Sequence, residues 1–135
     1  MAPSLVTDTH SIVWYLARHD AISPRAFAAI DTALIEGVPV YVSAISLVEL
    51  TYLVEKGSVQ QAALEDLMTA LNDADNSLTL MVLDMAVSKA LGTVSREAVP
   101  DMPDRVITAT AMSLGLPLVT KDGNIRASNA VETIW

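Results

Sequence analysis

The amino-acid sequence predicts an α/β fold in which helices cover both faces of a small parallel sheet. Short apolar runs of strand length alternate with segments of roughly ten or more residues whose apolar positions recur at helical spacing. The strand runs are continuously apolar, as is typical of parallel strands that are buried on both faces. The chain has 135 residues, enough for one such layered core, so we expect a single domain over residues 1–135.

Four apolar or β-branched runs are predicted strands, and they cover residues 4–8, 38–43, 78–83 and 116–122. The first run, SLVTD, and the fourth, LPLVTKD, each close on an aspartate. We expect the terminal segment VETIW, residues 131–135, to add a short strand at the edge of the sheet.

Six segments have helical spacing, and they span residues 9–20, 23–36, 44–56, 58–75, 84–95 and 103–114. Their clearest boundaries are the Ser23–Pro24 start of the second helix and the glycines Gly37 and Gly115, which follow the second and sixth helices.

The composition limits the classes of protein to which the chain can belong. Because there is no cysteine, disulfides and zinc–thiolate sites are excluded. No apolar run reaches the ~20 residues of a membrane span, and the N-terminus lacks a signal-peptide pattern, so we expect a cytoplasmic protein without a membrane partner. Hydrophobic residues make up 52% and charged residues only 18%, which favours a homodimer or another protein partner.

The net charge of −8 argues against binding nucleic acid through a broad basic surface. It leaves open an enzyme that meets a phosphodiester through bound cations.

Five acids fall where ligands bind in open α/β sheets. Asp8 and Asp122 end predicted strands, and Glu49 lies early in the helix after the second strand. Asp101 and Asp104 lie at the start of the helix that leads into the fourth strand. The carboxyl ends of parallel strands and the N-termini of the following helices share one edge, so we expect these acids to lie together.

Two interpretations of these acids compete. In the first they are structural: Ser46 and Glu49 fit a capping box, Asp101 is a helix N-cap, and Asp8 and Asp122 are strand-end turn residues. In the second they bind Mg²⁺ or Mn²⁺, which prefer carboxylate oxygens. The clustering favours the metal, because several carboxylates on one edge repel one another unless a cation is present.

A few other side chains near the acids are candidates for binding or catalysis. Arg105, Lys121 and Arg126 lie beside the acids and could hold phosphate groups, while His10 could be a ligand or a base. Trp14 is interpreted mainly as core packing. No serine has histidine and acid partners that suggest a triad, and no glycine-rich phosphate loop occurs.

The segments LVTDTHSIVWYL, SLVEL and PDMPDRVITATAMSLGLPLVTKD, with the terminal tryptophan, resemble the PIN-domain ribonucleases, and above all the VapC-type toxins of bacterial toxin–antitoxin pairs. The resemblance spans nearly the whole chain. It implies an α/β/α sandwich, a pocket of acids that holds Mg²⁺ or Mn²⁺, cleavage of RNA, and inhibition by a cognate antitoxin protein.

The resemblance also assigns roles to individual residues. Asp8, Glu49, Asp104 and Asp122 match the family's acids, which makes them the expected catalytic residues and metal ligands. Asp101 occupies a position that is often acidic in similar sequences and is a further expected ligand. Water would attack the phosphorus in line, so no side-chain nucleophile is required.

Two alternatives remain open from the sequence. A phospho-acceptor signalling domain also has a small parallel sheet and an acidic Mg²⁺ pocket, and Asp84 could be its acceptor after the third strand. Such a domain, however, needs two adjacent acids after the first strand, whereas in this sequence Asp8 is followed by Thr9 and His10. The other alternative is a binding module with a vestigial pocket. Metal-dependent RNA cleavage separates the nuclease from both, and labelling by acetyl phosphate would single out the phospho-acceptor.

Overall fold

The computed structural model describes residues 2–135, and in that range it contains five strands and seven helices. The strands are β1 Leu5–Thr7, β2 Val40–Ser43, β3 Leu78–Met81, β4 Leu118–Val119 and β5 Thr133–Ile134. The helices are α1 Thr9–Ala17, α2 Pro24–Ile35, α3 Ala44–Glu55, α4 Gln61–Asn72, α5 Met85–Leu91, α6 Met102–Leu114 and α7 Gly123–Ser128.

The strands form one sheet in the order β3-β2-β1-β4-β5, and every neighbouring pair is parallel. The central strand β1 pairs on both sides: Val6 lies opposite Tyr41 of β2 and opposite Leu118 of β4. The chain moves outward from β1 to β2 and β3, then crosses back to place β4 on the other side. The strand order therefore reverses between β1 and β4, and open α/β sheets bind ligands at such a point.

Two apolar clusters cover the two faces of the sheet. Along β1, Leu5 belongs to one cluster and Val6 to the other, as the two-residue period of a strand requires. Along β4, Leu118 and Val119 divide in the same way. Because both faces are buried, the strands are continuously apolar, and the predicted α/β/α sandwich is confirmed.

The predicted elements differ from the structure mainly at their ends. The fourth strand covers two residues, not 116–122, because Pro117 has no N–H to pair and the last hydrogen bond to β5 is donated by the Thr120 N–H. The first helix ends at Ala17, because Arg18 takes a left-handed conformation with φ of +52°. The helix α7 was missed, since six residues are too few to show a helical period.

Over residues 2–135, none of the helices combines the length and the apolarity that crossing a membrane requires.

Candidate active site

All five predicted acids line a single cavity at the carboxyl edge of the sheet. This acid cavity has a volume of about 450 Å³ and is lined by Asp8, His10, Trp14, Glu49, Asp101, Asp104, Lys121 and Asp122. It lies beside the carboxyl ends of β1 and β4, where the strand order reverses. Four separate chain segments thus bring their carboxylates to the position that the sequence predicted.

Asp8 is the most deeply placed of these acids, with 8% of its surface exposed. It follows β1 and caps α1, because its Oδ1 accepts a hydrogen bond from the Ser11 N–H at 3.0 Å. Its Oδ2 accepts a 2.6 Å hydrogen bond from the hydroxyl of Thr120. Burial raises the pKa of Asp8, and the hydrogen bonds from Ser11 and Thr120 partly oppose that rise.

Thr120 joins two of the acids and was not singled out from the sequence. Its fully buried hydroxyl donates to Asp8 and accepts a 3.0 Å hydrogen bond from the Asp122 N–H. One hydroxyl therefore fixes the first and the last acid of the cavity relative to each other. The position of Thr120 between Val119 and the Lys-Asp pair at the strand end was the only sequence signal for this role.

Helix capping and cavity lining turn out to be compatible. Asp122 caps α7 through Oδ1, which accepts from the Ile125 N–H at 2.9 Å. Asp101 caps α6 through Oδ2, which accepts from the Asp104 N–H at 3.1 Å. A carboxylate has about four lone-pair sites, so each capping acid keeps acceptor capacity for a ligand in the cavity.

The predicted capping box of Ser46 and Glu49 is wrong. The helix α3 begins at Ala44 and is capped by Ser43, whose hydroxyl accepts from the Ile45 N–H at 3.2 Å. Ser46 is buried and its hydroxyl accepts a hydrogen bond from Thr9. Glu49 consequently lies in the second turn of α3, where its carboxylate has no capping role and lines the cavity.

Asp104 experiences the charge of the whole cluster. Burial, and after it the neighbouring carboxylates led by Asp101 and Asp122, together raise the pKa of Asp104 to about 7. The side chain is half-buried in the first turn of α6. Without a cation, ionising the complete set of acids is therefore unfavourable, and a positive ion would relieve the cost.

The cavity has the chemistry of a divalent-ion site without the finished geometry. Across residues 2–135, no three histidine, aspartate or glutamate side chains converge as ready-made ligands of one ion. The carboxylates nevertheless offer the hard oxygen atoms that Mg²⁺ and Mn²⁺ prefer, and their mutual repulsion contributes to the raised pKa of Asp104. The residues fit such an ion by ligand type and charge, and binding it requires side-chain rotation.

A cation and two rings complete the lining. The Lys121 Nζ lies 5.9 Å from the ring centroid of Trp14, and the His10 ring lies 5.5 Å from the same indole. Trp14 packs against one core cluster, as the sequence suggested, but it also lines the acid cavity. The signal that was available is its spacing of one helical turn from His10.

The two predicted phosphate-binding arginines lie elsewhere. The guanidinium of Arg105 donates to the carbonyl of Val94 at 3.0 Å through Nε and to that of Leu91 at 3.1 Å through Nη2. It therefore holds the C-terminal end of α5 against α6 and does not line the acid cavity, where the sequence predicted a phosphate contact. Arg126 is exposed in the last turn of α7 and does not line the cavity.

Asp84, the acceptor in the phospho-acceptor alternative, also lies outside the cavity lining. It follows the outermost strand, β3, and caps α5 by accepting from the Val87 N–H at 3.0 Å. A phosphorylated Asp84 would therefore lie outside the acid cavity.

A parallel sheet with an acid-lined cavity at its switch point defines a class of α/β proteins whose site chemistry rests on carboxylates. A family model for the PIN domain matches residues 5–129, and the chain belongs to that family.

Relatives and solved structures agree with this assignment. The chain is 28% identical over 134 residues to a curated protein named ribonuclease VapC22 from Mycobacterium tuberculosis, and the match covers 98% of each chain. Its fold is similar to a chain of the VapBC2 complex from Rickettsia felis bound to a promoter DNA fragment, with a TM-score of 0.71, 16% identity and 96% of each chain covered. A chain of the VapBC-5 toxin–antitoxin structure from M. tuberculosis matches with a TM-score of 0.60, 22% identity and 97% coverage of both.

Proposed function

We propose that this single-domain chain is a VapC-type toxin that hydrolyses RNA phosphodiesters with Mg²⁺ or Mn²⁺ held in the acid cavity. The observation that carries the proposal is the convergence of five carboxylates from four chain segments on one cavity of a PIN-domain protein. The relative that is named a ribonuclease supports RNA as the substrate.

In the proposed site, Asp8, Glu49, Asp104 and Asp122 hold the ion and are the catalytic residues. Asp101 contributes a further oxygen while it caps α6. When bound, the ion makes water more acidic and offsets the negative charge of the phosphate oxygens. Asp8 is the fixed member of the set, because both of its oxygens are already positioned by hydrogen bonds.

Among the described residues that line the acid cavity, Lys121 is the one with a lysine or arginine side chain. Its ammonium group is placed to contact the incoming phosphate, which the carboxylates would otherwise repel. Asp104 differs from the other acids in its protonation. Because its pKa is raised to about 7, both the neutral acid and the carboxylate are populated near neutral pH before a cation binds.

Two protein partners complete the proposal. The structures that resemble the fold include toxin–antitoxin complexes, which supports a cognate antitoxin for this chain. An apolar groove that includes Val48, Tyr52 and Met102 adjoins the cavity at Glu49, and all three side chains are at least half exposed. We expect an antitoxin segment to cover this edge with apolar side chains and to place an arginine or lysine among the acids. A homodimer remains our expectation from the high apolar content, and a cytoplasmic location from the lack of a signal-peptide pattern and of a membrane-length apolar run.

The experiment is cleavage of a labelled RNA by the purified toxin, freed of any antitoxin. We expect cleavage in Mg²⁺ or Mn²⁺, none in chelator, and recovery when either ion is restored. Glu49→Gln should abolish cleavage, whereas Glu55→Gln, a matched change at an exposed position of the same helix, should not. Equal cleavage with and without chelator, or full activity of Glu49→Gln, would refute the proposal.

A further inference from the structure

The rim of the acid cavity carries an aromatic group that the carboxylate chemistry does not use. Trp14 is partly buried on α1 and lines the cavity beside His10 and Lys121. The Trp135 ring meets the Trp14 indole edge-on, with centroids 6.1 Å apart. Packing against the core, against Trp135 and against the His19 ring, which stacks on the indole with centroids 6.3 Å apart, holds the indole in place.

A substrate of this site must overcome strong electrostatic repulsion. Five of the eight lining residues are acids, and the whole chain has a net charge of −8. Beyond the charge that a bound cation would offset, the favourable side-chain contacts of the cavity lining with a polyanion therefore have to come from the other three residues, His10, Trp14 and Lys121. A ring can stack on a base whatever the base is, and an ammonium group can bind a phosphate.

We propose that Trp14 and Lys121 form a nucleotide subsite, in which the indole stacks on the base next to the cleaved phosphate and the ammonium binds that nucleotide's phosphate. This inference rests on the proposed hydrolysis of RNA. Before substrate binds, Lys121 lies over the indole at 5.9 Å. Substrate binding moves the ammonium to a phosphate oxygen, and the base takes its place on the ring.

The subsite specifies a class of substrate. A base can stack on Trp14 only when it is unpaired and turned out of a helix, so the preferred substrates are single-stranded segments and loops of RNA. Stacking tolerates all four bases, so Trp14 contributes affinity and register, and sequence preference must come from other contacts.

The kinetic test compares Trp14→Leu with Trp14→Phe, which keeps a stacking ring. For a single-stranded RNA we expect Trp14→Leu to raise KM about tenfold or more with little change in kcat, and Trp14→Phe to stay close to the wild type. Removing the base next to the cleaved phosphate should weaken wild-type cleavage by a similar factor and leave Trp14→Leu unaffected. If the two variants cleave alike, or if the missing base still matters in Trp14→Leu, the stacking role is wrong.

Salt dependence tests the lysine. The slope of log(kcat/KM) against log salt should flatten by about 0.7 in Lys121→Met, as expected for one lost phosphate contact on a single strand. Arg126→Met, a change of an exposed cation outside the cavity lining, should leave the slope unaltered. An unchanged slope in Lys121→Met would remove Lys121 from the subsite.

A binding measurement separates this inference from the proposed hydrolysis. The chain has two tryptophans, so Trp14 is the only one that emits in a protein carrying Trp135→Phe. With Glu49→Gln added to prevent cleavage, a short single-stranded RNA in Mg²⁺ should quench this emission, and the same sequence as a duplex should not. If single-stranded RNA quenches the Trp14 emission but the wild-type protein does not cleave RNA, only the proposed hydrolysis is overturned. Unchanged emission, beside a wild type that cleaves, would overturn only the subsite.

Discussion

Replacing Asp104 with asparagine should stabilise the metal-free protein at neutral and alkaline pH. Burial and the surrounding carboxylates raise the pKa of Asp104 from 3.8 to about 7, so the folded protein favours the neutral acid. Folding therefore loses stability as the pH rises between these two values, because the unfolded chain ionises freely and the folded chain does not. Asparagine keeps the shape of the side chain and cannot ionise, so the Asp104→Asn variant escapes this loss.

The size of the effect follows from the two pKa values. Their difference corresponds to about 4 kcal/mol if it is fully expressed. The Asp104 side chain is only half-buried, and solvent screens part of the repulsion, so we expect about 2 kcal/mol above neutral pH. For a chain of 135 residues this is a rise of about 7 °C in Tm.

Thermal melts in chelator, followed by circular dichroism from about pH 4 to about pH 8, measure this difference. The wild type and Asp104→Asn should melt nearly together at the acidic end and diverge as the pH rises. Millimolar Mg²⁺ should narrow the gap, because a cation offsets the same repulsion. The same change at Asp66, an exposed position of α4 outside the acid cavity, serves as the matched control. Equal melting of wild type and Asp104→Asn at about pH 8 would refute the electrostatic account of the cluster.

Four further predictions follow from the contacts. Thr120→Val should destabilise the metal-free protein by about 1–3 kcal/mol, because the carboxylate of Asp8 and the N–H of Asp122 lose a buried partner. Thr120→Ser keeps the hydroxyl and should retain the stability of the wild type, and thermal melts measure both variants. Arg105→Ala should lower the free energy of unfolding by about 1–3 kcal/mol and leave the salt dependence of cleavage unchanged. A changed salt dependence would show that Arg105 contacts the substrate. Mg²⁺ or Mn²⁺ at ~100 times Kd should stabilise the wild type by about 2.7 kcal/mol in melts, and an unmoved Tm would count against the site. Sedimentation should show a dimer, and a monomer at tens of micromolar would contradict it.

The architecture and the place of the site were predictable because both depend on local patterns. The strands β1 and β4 are buried on both faces, and each belongs to an apolar run that gives way to polar residues. Asp8 and Asp122 mark the ends of those runs, and parallel pairing brings them to one edge without further information. The bounds were less accurate, because backbone pairing and left-handed caps such as Arg18 decide where an element ends.

The contacts within the site could not be predicted, because they join distant parts of the chain. Thr120 reaches Asp8 across 112 positions, and no local pattern records that hydrogen bond. Arg105 stands in a motif beside an acid, yet the packing of α5 on α6 gives it two carbonyls to bind instead. Ser46 and Glu49 have the spacing of a capping box, but α3 begins at Ala44 with Ser43 as its N-cap, so Ser46 lies inside the helix.

Three of the five acids, Asp8, Asp101 and Asp122, cap helices. Whether the five also form a metal site is tested most sharply by a crystal of the free protein soaked in millimolar Mn²⁺. Anomalous diffraction at the manganese edge locates the ion without reference to activity. We expect a peak inside the acid cavity, within ligand distance of Asp8 and at least two of Glu49, Asp104 and Asp122, and loss of that peak in Asp104→Asn. A cavity open to solvent in the crystal with no manganese in it would refute the metal site and leave Asp8, Asp101 and Asp122 with capping roles only.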